Sequence, residues 1–463
     1  MRFLLRQATK STVVALFLGL LLRLWFIHYY PVIEGDTLVY GEIARNWFWH
    51  GSFGLMRVNG IEPTVVRLPG YPLFLGLCFL IFGVEHYTAV MLVQTIMDLA
   101  TCLLVAGFCV RTISRRAGIV ALYLAALCPF TANYVASPLT ETPTLFCIAL
   151  GLYALARYVE RPGFNAWFWV LVFSISYSAL LRPDGPLIGL VLVPAMFWYA
   201  RPKISSGRSA RLAILCTVVA MIPFVPWTIR NEVSMHVFQP LAPRYANDPN
   251  EFVPHGWIRW VKTWAAEYTS TADTYWNVNG SPIDITLLPP RAFDSPAQRA
   301  ETAKLFDEYN KTEIMSPDLD ARFDQLAQQR IDRHPIRFYI VMPLVRLADM
   351  WLRPRTAQLW IELRWWQYEH HPAETIFCWA YAALNLAYLL LAAWGLRKHV
   401  PFAPVMVAYA IVRSLLLLTV ETPEARYTIE CFPMIFILAA AGLTVRASRP
   451  SAISAPPASS SPS

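Results

Sequence analysis

The chain has 463 residues, 56% of them hydrophobic and only 15% charged, with a mean hydropathy of +0.40. Soluble domains carry roughly 25% charged residues, so this composition excludes an ordinary soluble globule and describes a protein folded largely in lipid. The net charge of +8 does not point to nucleic acid, because Arg and Lys stand beside the ends of apolar runs and form no dense basic tract.

Apolar runs long enough to cross a hydrocarbon core, roughly 17 to 25 residues each, predict an all-α fold: a polytopic transmembrane helical bundle of about ten spans. They fall at 12–30, 87–110, 117–134, 141–158, 166–181, 185–200, 212–229, 374–396, 401–420 and 428–446. The N-terminus has the basic start of a signal peptide, but no small-x-small site follows and Arg23 interrupts the apolar run, so it reads as an uncleaved first span. Between spans, RTISRR (111–116), ARYVERP (156–162), RPKISSGRSAR (201–211), LRKH (396–399) and VRASR (445–449) carry most of the short-loop positive charge. The positive-inside rule makes these loops and both termini cytoplasmic, in a multi-pass membrane protein.

The alternation closes when 231–373 stays outside as an external or interfacial loop region forming a small helical cap. The N-terminal transmembrane region, 1–230, then carries the first external loop, 31–86, and the C-terminal transmembrane helices occupy 374–446. In that first loop TLVYGEIARNWFWHG (37–51) is amphipathic, and YPLFLGLCFLIFG (71–83) is too short for an ordinary span. RFYIVMPLVRLADMWL (337–352) reads as an interfacial or re-entrant helix, since Arg337, Arg346 and Asp349 argue against lipid exposure. The Pro/Ser/Ala-rich tail, 447–463, is expected to be disordered. All eight cysteines lie in apolar segments without redox or metal spacing.

Five separated segments combine charge with glycine, proline or aromatic residues at span ends: GDTLVY (35–40) with RLPGYP (67–72), ASPLTETP (136–143), LRPDGP (181–186), PWTIRN (226–231) and ETPEARY (421–427). The predicted topology puts all of them on the non-cytoplasmic side. Scattered snorkelling charges would occupy both faces, whereas a site built from several loops needs its groups on one. Taken singly, Asp36 can be a helix N-cap, Glu141 a dipole partner for the fourth span, and Arg67, Arg182, Arg230 and Arg426 interfacial anchors. Weaker signals resolve locally. Asp318 and Asp320 form a D-x-D, but SPDLDARFDQL reads as a Ser cap, a first-turn Pro and an acidic first turn. His370 and His371 in YEHHP have no second ligand group at metal spacing. Asp98 lies deep in a span and needs a partner or a neutral form. No phosphate loop or Ser/His/Asp signature occurs, so no soluble nucleotide cofactor is indicated, while a divalent metal requirement stays open.

These motifs, in this order and on one side, resemble the GT-C polyprenyl-phosphate-sugar glycosyltransferases, nearest in character to bacterial relatives of the protein O-mannosyltransferases and of the lipid A aminoarabinose transferase. The resemblance covers about 12–446 and is weakest in 231–373. It implies a catalytic acid at Asp36, a second acid at Glu141, and a lipid-phosphate site at Arg67, Tyr71, Arg230, Arg426 and Tyr427. Some relatives carry an acid directly before the basic residue of the RLPGYP segment; here that position is Val66, so any shared role passes to Asp36, Glu62 or Glu141. The implied reaction moves a sugar from a polyprenyl-phosphate donor to a protein, lipid or glycan acceptor outside the cytoplasm, with inversion and Asp36 as general base. The rivals are a secondary transporter or lipid-linked glycan flippase, and a polysaccharide polymerase or ligase. Transporters usually place their ionisable groups near the midplane rather than at one margin.

Overall fold

The computed structural model describes residues 10–445; the predicted disordered tail, 447–463, lies outside them. In chain order, α1 (Lys10–Tyr29) is followed by α2 (Asp36–His50), the strands β1 (Gly54–Arg57) and β2 (Gly60–Pro63), α3 (Gly70–Phe82), α4 (Tyr87–Thr112), α5 (Arg115–Ala126), α6 (Glu141–Glu160) and α7 (Ala166–Leu181). Next come α8 (Leu187–Ile204), α9 (Ser206–Met221), α10 (Phe224–Met235), α11 (His255–Lys262), α12 (Pro296–Thr312), α13 (Pro317–Arg333), α14 (Met342–Leu352), α15 (Pro372–Leu396), α16 (Ala403–Leu417) and α17 (Phe432–Thr444).

The result is a polytopic helical bundle. Among the described residues seven helices are long and apolar enough to cross a membrane: α1, α4, α6, α8, the run Ser206–Met235 that joins α9 and α10, α15, and Ala425–Thr444, which ends in α17. Three of the ten expected spans depart from that standard. The one at 117–134 is α5 followed by Pro129–Ala136 across a 51° bend, where Pro129 has no N–H to continue the ladder. The other two, at 166–181 and 401–420, are α7 and α16, helices of 16 and 15 residues. A strand pair was not expected, yet β1 and β2 form an antiparallel hairpin with Gly54 opposite Pro63 and Arg57 opposite Gly60.

The bundle packs on small residues, as helices in lipid must, since tails and side chains are equally apolar and close backbone approach supplies the attraction. At the α15–α17 crossing, a Cβ on Gly395 would lie 1.9 Å from the Leu438 carbonyl oxygen. The bundle also answers the charge left unassigned in the sequence. Asp98 of α4 accepts from Arg23 of α1 at 2.7 Å, and Arg23 also donates to the carbonyls of Gly19 (2.7 Å) and Ala126 (2.8 Å). Both residues are buried. The arginine that interrupts the first apolar run is the partner Asp98 required.

Residues 255–333 build a second core on Trp257, Trp260, Trp264, Phe306 and Phe323. Here the D-x-D finds its use. Ser316 caps α13 by accepting from Leu319 N–H at 3.2 Å, and Asp320 accepts from the N–H groups of Gly256 (3.1 Å) and Trp257 (2.7 Å), so its carboxylate caps the start of α11. Along 337–352, Tyr339, Ile340, Leu344, Val345 and Leu352 are exposed, while Arg346 is buried and donates to the carbonyls of Lys262 and Ala265.

Candidate active site

Asp36 is the first residue of α2, and the turn into it is made by Gly35 at φ +53°, a left-handed conformation open to glycine. A cap would use the carboxylate on the helix's own N–H groups, but the N-cap position is Gly35 and no side-chain capping bond forms. The Asp36 carboxylate instead accepts from Arg67 Nη2 at 2.5 Å and from Arg426 Nη1 at 3.5 Å. Burial by itself would raise its pKa; the two guanidiniums outweigh that and hold the carboxyl below the ordinary aspartate value.

Arg67 is placed by the segment between β2 and α3, which is pinned from two directions. Asp248 accepts from Thr64 Oγ1 and Val65 N–H, each at 2.8 Å. Arg230 donates to the Thr64 carbonyl at 2.8 Å and to the Phe53 carbonyl, clamping both ends of the hairpin. Arg230 is thus a brace for Arg67, and no contact joins it to Asp36. Tyr71, the second residue of α3, is directed inward as well: fully buried, it donates to Gln94 Oε1 of α4 at 2.9 Å. The Arg67 guanidinium lies 5.5 Å above the ring of Tyr40, which follows Asp36 by one helical turn.

Glu141 opens α6 and is 2% exposed. Its Oε1 accepts from Arg182 Nη1 at 3.1 Å and lies 4.0 Å from Arg426 Nη1, while its Oε2 has no hydrogen-bond partner. Arg426 therefore stands between the two candidate acids. Its Nε pairs with Glu424 at 2.7 Å, and the Tyr427 hydroxyl donates to the same glutamate at 2.5 Å. Asp36, Arg67, Glu141, Arg426 and Tyr427 are thereby brought together, with Arg230 and Tyr71 supporting from outside.

Five further groups complete the cluster. Asp184, Glu430, Arg182, Arg413 and Tyr409 form a continuous network behind Glu141. Arg182 and Asp184 were visible in LRPDGP, but Arg413 and Glu430 sit inside predicted spans. The signal that could have found them is the one that marked Asp98, a charge within an apolar run. Beside the cluster a cleft of about 380 Å³ is lined by Arg182, Asp184, Arg244, Leu416, Glu421 and Tyr427, among others. The acids are each partnered by guanidiniums, and among the described residues no three His, Cys, Asp or Glu side chains are grouped to hold a metal ion.

A cleft over interleaved arginines and carboxylates on a polytopic helical body is the kind of site that the resemblance to GT-C glycosyltransferases led one to expect. The family model for dolichyl-phosphate-mannose-protein mannosyltransferases matches residues 63–229, which include Arg67, Glu141 and Arg182. Two solved structures with the same fold are the Archaeoglobus fulgidus oligosaccharyltransferase tethered to an acceptor peptide (12% identity, TM-score 0.51) and the same enzyme with Zn and sulfate (12%, 0.50). The first comparison covers 94% of this chain and 49% of that one, the second 93% and 48%, so the chain spans about half the length of these relatives. ArnT from Cupriavidus metallidurans, bound to undecaprenyl phosphate, aligns over 93% of this chain and 76% of its own at 16% identity, with a TM-score of 0.42. No curated protein sequence matches the chain.

Proposed function

We propose that this protein transfers a sugar from a polyprenyl-phosphate donor to an acceptor hydroxyl or amine, with inversion, on the extracytoplasmic face of a bacterial-type inner membrane, both its termini being cytoplasmic. The observation that carries the reading is the placement of the Asp36 carboxylate between Arg67 (2.5 Å) and Arg426 (3.5 Å) at the mouth of the membrane body. An isoprenoid donor lies in the bilayer and presents its phosphate at the margin, and the topology expected from the sequence puts these guanidiniums there. The family-model match supports a lipid phosphate as the sugar's carrier.

In this mechanism Arg67 and Arg426 hold the donor phosphate. A guanidinium has five N–H donors, so each can keep its carboxylate while turning other donors to phosphate oxygens. The acceptor oxygen or nitrogen attacks the anomeric carbon as its proton passes to Asp36. The bond from that carbon to the phosphate oxygen breaks with its electron pair, and the added negative charge on the leaving polyprenyl phosphate falls on the arginines. Proton transfer of this kind contributes about two to four orders of magnitude, and positioning with phosphate stabilisation supplies the rest. Glu141, with its Oε1 4.0 Å from Arg426 and its Oε2 unpartnered, is the second acid facing the same arginine.

The test is reconstitution of the purified protein with a radiolabelled polyprenyl-phosphate sugar and candidate protein, lipid and glycan acceptors. Label moving to an acceptor is the expected result. Label carried across the vesicle without leaving its lipid would make the protein a flippase and overturn the reading.

A further inference from the structure

The network behind Glu141 packs two guanidiniums and two further carboxylates against one another. Arg413, fully buried in α16, donates to Asp184 Oδ2 in the loop before α8, and to Glu430 Oε1 at 3.0 Å and the Tyr427 carbonyl at 2.9 Å in the turn before α17. Tyr409, one turn earlier, donates to the other oxygen of Glu430 at 2.8 Å. Arg182 contacts the same two acids, with Nε 3.1 Å from Asp184 and 3.3 Å from Glu430, and passes its Nη1 to Glu141 at 3.1 Å. Two guanidiniums and two carboxylates thus alternate in a neutral square, and the square ends on the site at two points. Arg182 holds Glu141, and the Tyr427 carbonyl belongs to the residue next to Arg426.

We propose that Arg413 is a positioning residue for the transfer reaction, fixing Arg182 and the Arg426–Tyr427 segment so that Glu141 and the Asp36-facing guanidinium keep their places. The proposal rests on the sugar-transfer reading above. A purely structural ion pair in this bundle looks different. Arg23–Asp98 is satisfied by backbone carbonyls and one neighbouring cysteine, and none of its contacts is a residue of the site. The Arg413 square has Arg182 and Asp184 on the wall of the cleft, together with Tyr427, whose carbonyl Arg413 holds. Arginine is required by the geometry, because a lysine ammonium lacks the planar fork that reaches Asp184, Glu430 and a carbonyl at once.

The experiment compares wild type with Arg413→Lys, Asp184→Asn and the double variant Arg413→Lys/Asp184→Asn for thermal unfolding, donor KM and kcat. A displacement of about 1 Å in a reacting constellation can lower turnover about a hundredfold. Arg413→Lys, which keeps the charge, is therefore expected to lose about ten- to a hundredfold in kcat with donor KM within about threefold. Asp184→Asn, which lies outside the apolar helices and leaves the Arg413–Glu430 pair, is expected to lose kcat in the same way while unfolding close to wild type. In the double variant the losses should be far from additive, since both residues act through one square. A merely structural role would lower the yield or the unfolding temperature and leave kcat of the folded fraction unchanged. Wild-type protein that moves no sugar would overturn the transfer reading and this proposal with it. Wild-type transfer accompanied by wild-type kcat in folded Arg413→Lys, or in Asp184→Asn should the lysine variant fail to fold, would overturn this proposal alone.

Discussion

Replacing Asp36 with Asn separates the two uses a carboxylate can have at the head of a helix. Asn preserves shape and accepts hydrogen bonds, so a cap would survive it; here Asp36 makes no capping bond at all. What the substitution removes is charge opposite Arg67 and Arg426. The Asp36 side chain is 36% exposed and that of Arg67 18%, so the lost pairing belongs with partly solvated ion pairs, worth about 1 kcal/mol or less. Folding and yield should therefore change little. Donor affinity should hold or rise, because two guanidiniums lose a competing carboxylate. Turnover should fall by at least about a hundredfold, about 2.7 kcal/mol on the barrier, because an amide cannot take the acceptor proton. The assay is purified wild type against Asp36→Asn, matched for folded protein by thermal unfolding, with donor binding and label transfer measured on the same samples. Wild-type turnover in a folded Asn variant would refute the assignment and pass the role of base to Glu141.

Arg67→Ala should weaken donor binding by about 1.5–3 kcal/mol, the worth of a charge-assisted contact, with Lys restoring only part of it. In wild type the acid limb of kcat/KM, set by ionisation of Asp36, should lie below the ordinary aspartate value of about 4; removing Arg67 takes away one of the two guanidiniums that offset burial, so that limb should move to higher pH. Burial, reinforced by Glu267 and opposed by Arg353, pushes the Asp349 carboxyl up to about 6. Its protonated form is the stable one, so the stability it contributes is present at low pH and lost as pH rises through about 6; Asp349→Asn should raise the unfolding temperature at pH 7.5, by at most about 3 kcal/mol of stability, and match wild type near pH 4. In the buried pair, Arg23→Met or Asp98→Leu alone should cost about 3–5 kcal/mol, while the double replacement should recover most of it, as read by thermal unfolding, with sugar transfer by the folded double variant at the wild-type rate.

Much of the site was legible because each loop carried its own signature of charge beside glycine or proline. GDTLVY, RLPGYP, ASPLTETP and ETPEARY supplied Asp36, Arg67, Glu141, Arg426 and Tyr427, and single-sidedness was the reason to read them together. Arg230 and Tyr71 were legible as unusual residues, but their partners, the Thr64 and Phe53 carbonyls for Arg230 and Gln94 for Tyr71, are distant in sequence and leave no trace in local spacing. Arg413 and Glu430 were hidden as well: each stands alone in an apolar run, and pairing between α16 and the turn before α17 leaves no such trace either. The hairpin escaped because four-residue strands beside an amphipathic helix carry too little period-two pattern to register.

The central claim is tested most directly by the stoichiometry and stereochemistry of a single reaction. Purified wild-type protein is given a polyprenyl-phosphate sugar of known anomeric configuration and an acceptor found by the reconstitution screen, and the released lipid and the new linkage are measured in the same sample. The account predicts one polyprenyl phosphate released for each sugar transferred, and a product of opposite anomeric configuration, with both signals lost in Asp36→Asn. Retained configuration would contradict a direct attack assisted by Asp36, and consumption of donor without a glycosylated acceptor would contradict sugar transfer itself.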